Sequence, residues 1–290
     1  PPVVVIGHGA QSVRDAVGSN ARFVVQDPQL GTAHAVMSTE SLIRPEADYV
    51  IVTTADMPLI RPETLRQLLD SQLSNSGPVT MLTGFADDPH GFGRVERSQD
   101  GSVQAIVEEA VAAPEQLAIH ELNLSIYCFQ ADFLWGALKR VGLSPKGEYY
   151  LTDVVAIARK DGHPVQASVL QDFSEAIGIN TRVHLAEAEA ILRRRTNQAW
   201  MSAGVTMIDP ETTYIETDVT IGGDTLIYPN TLLCGNTSVG SGCVLGPNTV
   251  IRDSVVEDDC DISASVVENA HLARGSAVGP FEHVREKQSA

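Results

Sequence analysis

Seven aliphatic residues, Ile215, Ile221, Ile227, Leu233, Val239, Leu245 and Ile251, stand on an unbroken six-residue period. Four places after five of them comes a small or β-branched residue: Thr225, Thr231, Thr237, Cys243 and Thr249. Neither a helix nor a flat strand repeats every six residues. The pattern specifies a parallel β-helix of hexapeptide repeats, each hexad forming one face of a prism with its aliphatic inward and Gly, Asn or Asp at the turn. After Ile251 the phase slips, Glu257 standing where an aliphatic is due, and it resumes as Val266, Leu272, Val278 and Val284.

Upstream the grammar differs. Short β-branched runs at 3–6, 23–25, 49–53, 79–83, 126–129 and 167–170 alternate with helical patterns at 10–17, 32–42, 62–69, 131–140 and 151–160. That alternation predicts an α/β domain, doubly wound, with a mostly parallel sheet covered on both faces. Between the two grammars, 181–203 reads as one long helix. Glu187 and Glu189 lie early and Arg193, Arg194 and Arg195 late, as the helix dipole favours, and Gly204 is placed to end it. The expected organisation is an α/β domain over 1–180, a linker helix over 181–204 and the β-helix over 205–290.

Charge narrows the partners. A formal net charge of −17 leaves no basic stripe for nucleic acid or an anionic membrane. A phosphorylated small molecule remains compatible when a divalent cation bridges carboxylate and phosphate. No apolar run of membrane-spanning length or basic leader is present, so a cytoplasmic protein is expected. Cys128, Cys234, Cys243 and Cys260 form no CxxC pair, which predicts reduced, buried thiols.

In open α/β sheets ligands bind beyond the carboxyl ends of strands. Asp56 lies there, in Thr53-Thr54-Ala55-Asp56-Met57-Pro58, where a carboxylate on a stiffened turn can hold magnesium shared with phosphates, or can merely cap a helix or turn. The segment Gln26-Asp27-Pro28-Gln29-Leu30-Gly31-Thr32-Ala33-His34 follows a strand and opens a helix. Its Gly31 and Thr32 N–H groups can meet a ligand, and the Gln26 amide can read a base edge with one donor and one acceptor. His34 reads as a packed helix residue rather than a catalyst.

These stretches, with Gly91-Phe92-Gly93-Arg94-Val95, Ile106-Val107-Glu108, Asn123, Gly147-Glu148-Tyr149-Tyr150-Leu151-Thr152-Asp153 and Gly178-Ile179-Asn180-Thr181-Arg182, resemble in order and spacing the bacterial family of bifunctional N-acetylglucosamine-1-phosphate uridylyltransferases / glucosamine-1-phosphate acetyltransferases. The resemblance runs from residue 1 to about residue 285. It implies a nucleotidyltransferase domain, a left-handed β-helix that forms homotrimers, and a magnesium-dependent reaction. UTP and N-acetylglucosamine 1-phosphate would give UDP-N-acetylglucosamine and pyrophosphate, while acetyl-CoA serves the acetylating half of the full-length parent. By position, Gln26, Gly31 and Thr32 match uracil contacts, and Thr54, Ala55 and Asp56 the segment beside the nucleotide. Asp56 and Asn180 match the magnesium ligands. Gly93, Glu108, Asn123, Tyr150 and Thr152 match contacts to the amino sugar, and Arg285 a sugar-phosphate contact on the acetylating side.

There are departures. The family's glycine-rich Gly-x-Gly-Thr-Arg-Met loop and its lysine do not precede Pro1, and Glu286-Lys287-Gln288-Ser289-Ala290 leaves the pattern before the family's catalytic histidine. The expectation is a chain truncated at both ends, weak or inactive alone in uridylyl transfer and lacking acetyl transfer, with unpaired sheet edges. His283 matches no catalyst and is expected at the surface. Ala55 stands for a family glycine, Leu124-Ser125 for Thr-Gly, and Ala110-Val111 for Lys-Asp. Two alternatives stand beside this reading: another sugar-1-phosphate nucleotidyltransferase, or a non-catalytic truncated product.

Overall fold

The computed structural model describes residues 1–87 and 89–285. The stretch 286–290, where the pattern departs from the family, lies outside them. By internal contacts the chain divides into Pro1–Gly178 and a second unit from Ile179 onward.

The first unit contains β1 (Val3–Ile6), α1 (Ala10–Val17), β2 (Arg22–Val25), α2 (Thr32–Met37), α3 (Glu40–Ile43), β3 (Tyr49–Val52), α4 (Pro62–Ser74) and β4 (Val79–Phe85). It continues with β5 (Gly93–Arg97), β6 (Val103–Val107), α5 (Pro114–Leu117), β7 (Glu121–Gln130), α6 (Ala131–Leu138), α7 (Asp153–Lys160) and β8 (Val165–Val169). Helix α4 starts with Pro62 at its first turn, where a missing N–H is no loss.

The strands form a parallel β1–β2 pair and a six-stranded sheet of order β6-β5-β7-β4-β8, with β3 also on β7. The pairings correct the mostly parallel expectation: β4–β8 is parallel, while β3–β7, β4–β7, β5–β7 and β5–β6 are antiparallel. The physical reason is connection length. Between β5 and β6 the chain turns at Ser98–Ser102, held by Ser98 N donating to Ser102 O at 2.9 Å, and so short a link cannot cross over to a parallel neighbour. The core sits on both faces of the sheet. Tyr127 and Phe129 of β7 pack with Leu134, Trp135 and Val154 on one side, while Leu122, Leu124, Ile126 and Cys128 pack with Leu68 and Leu170 on the other.

The second unit opens with α8 (Arg182–Ser202), capped at its start by the Thr181 hydroxyl accepting from His184 N. At 1.5 Å per residue it runs about 32 Å. Asn197 is fully buried on it and donates through Nδ2 to Pro210 O at 2.8 Å and Thr213 O at 2.9 Å, tying the helix to the first coil. Beyond it, short parallel strands stack in three sheets, a parallel β-helix. The inward columns include Ile215, Leu233, Ile251, Val267 and Val284 in one sheet, and Met207, Ile227, Leu245, Ile262 and Val278 in another. The small position is internal as expected: Thr225, Thr231, Thr237, Cys243 and Thr249 are all buried.

The phase slip differs in detail. Val267, not Val266, points inward, and Val256 and Ile262 fill the column positions around Glu257. Leu233 pairs with Ile251, eighteen residues on, but Ile251 pairs with Val267, only sixteen on, so shortened corners absorb the slip. Corner residues Asp224, Asn230, Asn248, Asp253, Asp259 and Asn269 take positive φ, the left-handed region that Asn and Asp tolerate best among residues with side chains. All four cysteines are free and buried.

Candidate functional site

The geometry of the first unit converges on one stretch of β7. Strand β4 occupies one edge of β7 from Glu121 to Phe129, so β3 and β5 share the other. Val52 at the end of β3 faces Tyr127, and Gly93 at the start of β5 faces Asn123. The chain leaving β3 through Thr54, Ala55 and Asp56 and the chain entering β5 therefore meet β7 around Leu124–Ile126. There β7 bulges: its ladder with β4 slips between Met81 and Thr83, and Ser125 takes φ 57°. That left-handed turn stands where the resemblance expects glycine.

Around the bulge the sugar-assigned residues assemble. Asn123 and the Tyr127 phenol exchange hydrogen bonds at 2.8 and 3.0 Å, and Ser125 N donates to Asn123 Oδ1 at 3.2 Å. Burial pushes the Tyr127 phenol up, so it stays protonated and able to donate. Thr152 Oγ1 donates to Glu108 Oε1 at 3.3 Å. A Cβ added at Gly93 would sit 3.0 Å from Ile106 Cγ2 and 3.6 Å from Glu108 Oε2, which places Gly93 against the same carboxylate. Tyr150 is half-buried one turn before Asp153, whose N–H donates to its carbonyl at 3.2 Å. Burial raises the Asp153 carboxyl.

The nucleotide-assigned residues form a second group bound to the first. Gly31 has φ 98°, and a Cβ there would lie 2.7 Å from Tyr149 O and 2.9 Å from Tyr149 N. Only glycine lets the 30–33 loop approach so closely. The approach is sealed by Tyr149 N donating to Leu30 O at 2.8 Å, Ala33 N to Tyr149 O at 2.9 Å, and Leu151 N to Thr32 Oγ1 at 3.0 Å. One segment, 147–153, thus holds the 30–33 loop at one end and Glu108, through Thr152, at the other.

Gln26 is buried at the end of β2. Its Nε2 donates to Gly31 O at 3.0 Å and faces His34 Nδ1 at 3.0 Å. With His34 Nδ1 as acceptor, both amide hydrogens are met inside the chain and Oε1 is the part of the amide left for a base. Sequence reasoning also missed His34 and Tyr127 as members of this site. Their partners are set by a loop reversal and a bulge that no spacing rule reveals.

Asp56 is exposed at the end of β3 and, among the described residues, makes no hydrogen bond or ion pair. Beside it the Thr54 hydroxyl is buried without a partner among them. Asn180 belongs to the second unit, exposed, its N–H donating to His184 Nδ1 at 3.3 Å. Among the described residues no three His, Cys, Asp or Glu side chains gather around a metal position. Magnesium does not require such a cage, since it keeps waters and phosphate oxygens around one or two carboxylates, and a free carboxylate such as Asp56 suits it. Also in the second unit, the Arg285 guanidinium is bound to Glu268, which further accepts from His283 at 3.1 Å and Arg252 at 3.1 Å. His283 is exposed. No helix among the described residues is long and apolar enough to cross a membrane.

Comparison with known proteins finds two family matches, the first of which runs past Gly178 into the second unit. The family described as Nucleotidyl transferase matches residues 9–206, and that described as Bacterial transferase hexapeptide (six repeats) matches 218–253. The chain is 45% identical over 286 residues to a Bifunctional protein GlmU of an Exiguobacterium species, covering 98% of this chain and 63% of the relative. It is 44% identical over 285 residues to a Bifunctional protein GlmU of Heliobacterium modesticaldum, covering 98% and 62%. The chain thus spans less than two thirds of the length of these curated relatives. A solved structure titled a putative glucose-1-phosphate thymidylyltransferase, from Bacillus anthracis, superposes with TM-score 0.52 at 21% identity, over 65% of this chain and 74% of that one, a likeness of fold.

Proposed function

Because the chain belongs to the nucleotidyl transferase family, we propose that its first unit is built to transfer a uridylyl group from UTP to N-acetylglucosamine 1-phosphate, giving UDP-N-acetylglucosamine. A sugar-phosphate oxygen attacks the α-phosphorus, a new P–O bond forms, and the bond to pyrophosphate breaks. Such a reaction needs charge neutralisation and in-line placement more than a protein acid or base. Magnesium, when bound, supplies the Lewis acidity.

The chain's own residues do the placing. Gln26, Gly31 and Thr32 hold the uracil ring; Thr54, Ala55 and Asp56 line the phosphates, and Asp56 provides the carboxylate for the cation. Gly93, Glu108, Asn123, Tyr150 and Thr152 receive the amino sugar, Glu108 accepting from hydroxyls and Asn123 presenting its amide to the acetamido group. The observation that carries the reading is the 147–153 segment, which ties the 30–33 loop to Glu108 in one rigid bracket. A bracket of that kind fixes the distance between base and sugar sites, as a nucleotide-sugar product requires.

For the second unit we propose that its β-helix assembles as a homotrimer and that Arg285 contributes a sugar-phosphate contact to the acetyl transfer carried out by the full-length parent.

Calorimetric titration of UDP-N-acetylglucosamine with and without magnesium, beside Asp56→Ala, tests the first reading. Magnesium-dependent binding lost in the variant supports it. Binding indifferent to both magnesium and Asp56 sinks the cation assignment, and no binding by the folded chain sinks the reading itself.

A further inference from the structure

We propose that His34 is a positioning residue that fixes which base the site accepts, by taking the Gln26 amide hydrogen that the Gly31 carbonyl leaves over, so that only the carbonyl oxygen remains to meet a ring N–H. The inference rests on the reading of this site as a nucleotide site and goes further, to the chemistry of the base.

The argument starts from donors and acceptors. A glutamine amide has two N–H donors and one carbonyl oxygen, and its two ends are told apart by their partners. Here the Gly31 carbonyl lies 3.0 Å from one end of Gln26, and a carbonyl only accepts, so that end is Nε2. The same Nε2 lies 3.0 Å from His34 Nδ1. His34 Nδ1 must then be the unprotonated nitrogen, with the ring proton on Nε2. Both Gln26 hydrogens are consumed. Gln26 is 9% exposed, and its Oε1 is neither hydrogen-bonded among the described residues nor sealed from the surface. Tyr149 stands 6.4 Å from the His34 ring, centroid to centroid and tilted by 30°, on the segment that grips the 30–33 loop.

A lone, fixed acceptor has a definite preference. Uracil, thymine and guanine carry a ring N–H on the pairing edge, while cytosine and adenine carry a ring lone pair at the equivalent place. The first class meets Gln26 Oε1 with a hydrogen bond. The second sets lone pair against lone pair in a half-dry site, and an unsatisfied pair of that kind weakens binding by about tenfold to a hundredfold. Without His34 Nδ1, Gly31 O still holds one Gln26 hydrogen but the other is released and can be offered beside Oε1, so the two classes should come to bind alike.

The test is a set of calorimetric titrations of the whole chain with UMP and CMP, on the natural protein, His34→Phe and His34→Asn. Asparagine places its Oδ1 near the position of Nδ1 and restores the acceptor, while phenylalanine keeps the ring without it. Preference for UMP by tenfold or more in the natural chain, lost in His34→Phe and kept in His34→Asn, supports the proposal. Equal preference in all three overturns the role of His34 while leaving the base site standing; no UMP binding by the natural chain overturns the base site itself. Nitrogen-15 spectra of the natural protein provide a check that does not depend on any variant folding. They should show a non-protonated Nδ1 at His34, and a protonated Nδ1 refutes the arrangement.

Discussion

Gly31→Ala should loosen the bracket that joins the two halves of the site. The new Cβ would lie 2.7 Å from Tyr149 O, 2.9 Å from Tyr149 N and 3.1 Å from Glu148 Cβ, at φ 98°. Backbone strain for a residue with a side chain in that region is about 1–3 kcal/mol, before any contact is counted. The strain is relieved by parting the 30–33 loop from residues 148–151. Parting breaks the bonds from Tyr149 N to Leu30 O, Ala33 N to Tyr149 O and Leu151 N to Thr32 Oγ1. At about 1 kcal/mol each, their sum caps the global loss at about 3 kcal/mol. For a unit of this size that is at most about 12 °C in Tm. Locally the effect is sharper. Strain of about 1–3 kcal/mol in the closed state raises the open population about fivefold to about 150-fold. Hydrogen exchange read by mass spectrometry should therefore show the Ala33, Tyr149 and Leu151 amides exchanging faster by that factor, with the β7 amides unchanged. Unchanged exchange at all three, with Tm within about 1 °C of the natural protein, would refute the claim that glycine is required for this approach.

Three further outcomes follow from the same geometry. Ser125→Gly relieves the φ 57° strain in β7 and should raise the stability of the first unit by about 1 kcal/mol, seen as a Tm gain of a few degrees; a loss would show that the serine side chain is needed at the bulge. Asn197→Ala strands the half-buried Pro210 and buried Thr213 carbonyls and should destabilise the second unit by about 2–4 kcal/mol in urea unfolding, with a shift below about 0.5 kcal/mol counting against the anchor. Hydrogen bonds first from Arg285 and then from His283 hold the Glu268 carboxyl below its ordinary value of 4.5. Its contribution is complete above that value and is lost as pH falls through the depressed one. The Tm difference between the natural protein and Glu268→Gln should therefore shrink on acidification, and a gap constant down to about pH 2 would remove the carboxylate from the account.

The β-helix was legible because its rule is local: one inward aliphatic per face, repeated until the eye or a count finds it. The rule failed where corners shorten, since Val266 and Val267 are equally aliphatic and only the pairing of Ile251 with Val267 decides between them. Strand β5 escaped notice for another reason. Gly93–Arg97 reads as polar, and its Arg94 is buried through contact with the Phe92 carbonyl and with Glu109, 3.9 Å away, rather than by apolar character. Two positions around the candidate site were legible one by one: Asp56 follows a strand and Gly31 precedes a helix.

Their joint chemistry was not legible in the same way. Sequence lists what a side chain can donate and accept, whereas folding subtracts the capacity spent within the chain. Gln26 shows the subtraction most plainly. Its amide enters the fold with two donors and an acceptor and, after Gly31 O and His34 Nδ1 are served, leaves only the acceptor facing outward. Asp56 shows the opposite case, a carboxylate from which the described fold subtracts nothing. On the proposed function, specificity for the base and affinity for the cation would have different origins in this chain. The first would come from hydrogen bonds already made within the fold, and the second from a carboxylate whose hydrogen bonds are left unmade among the described residues.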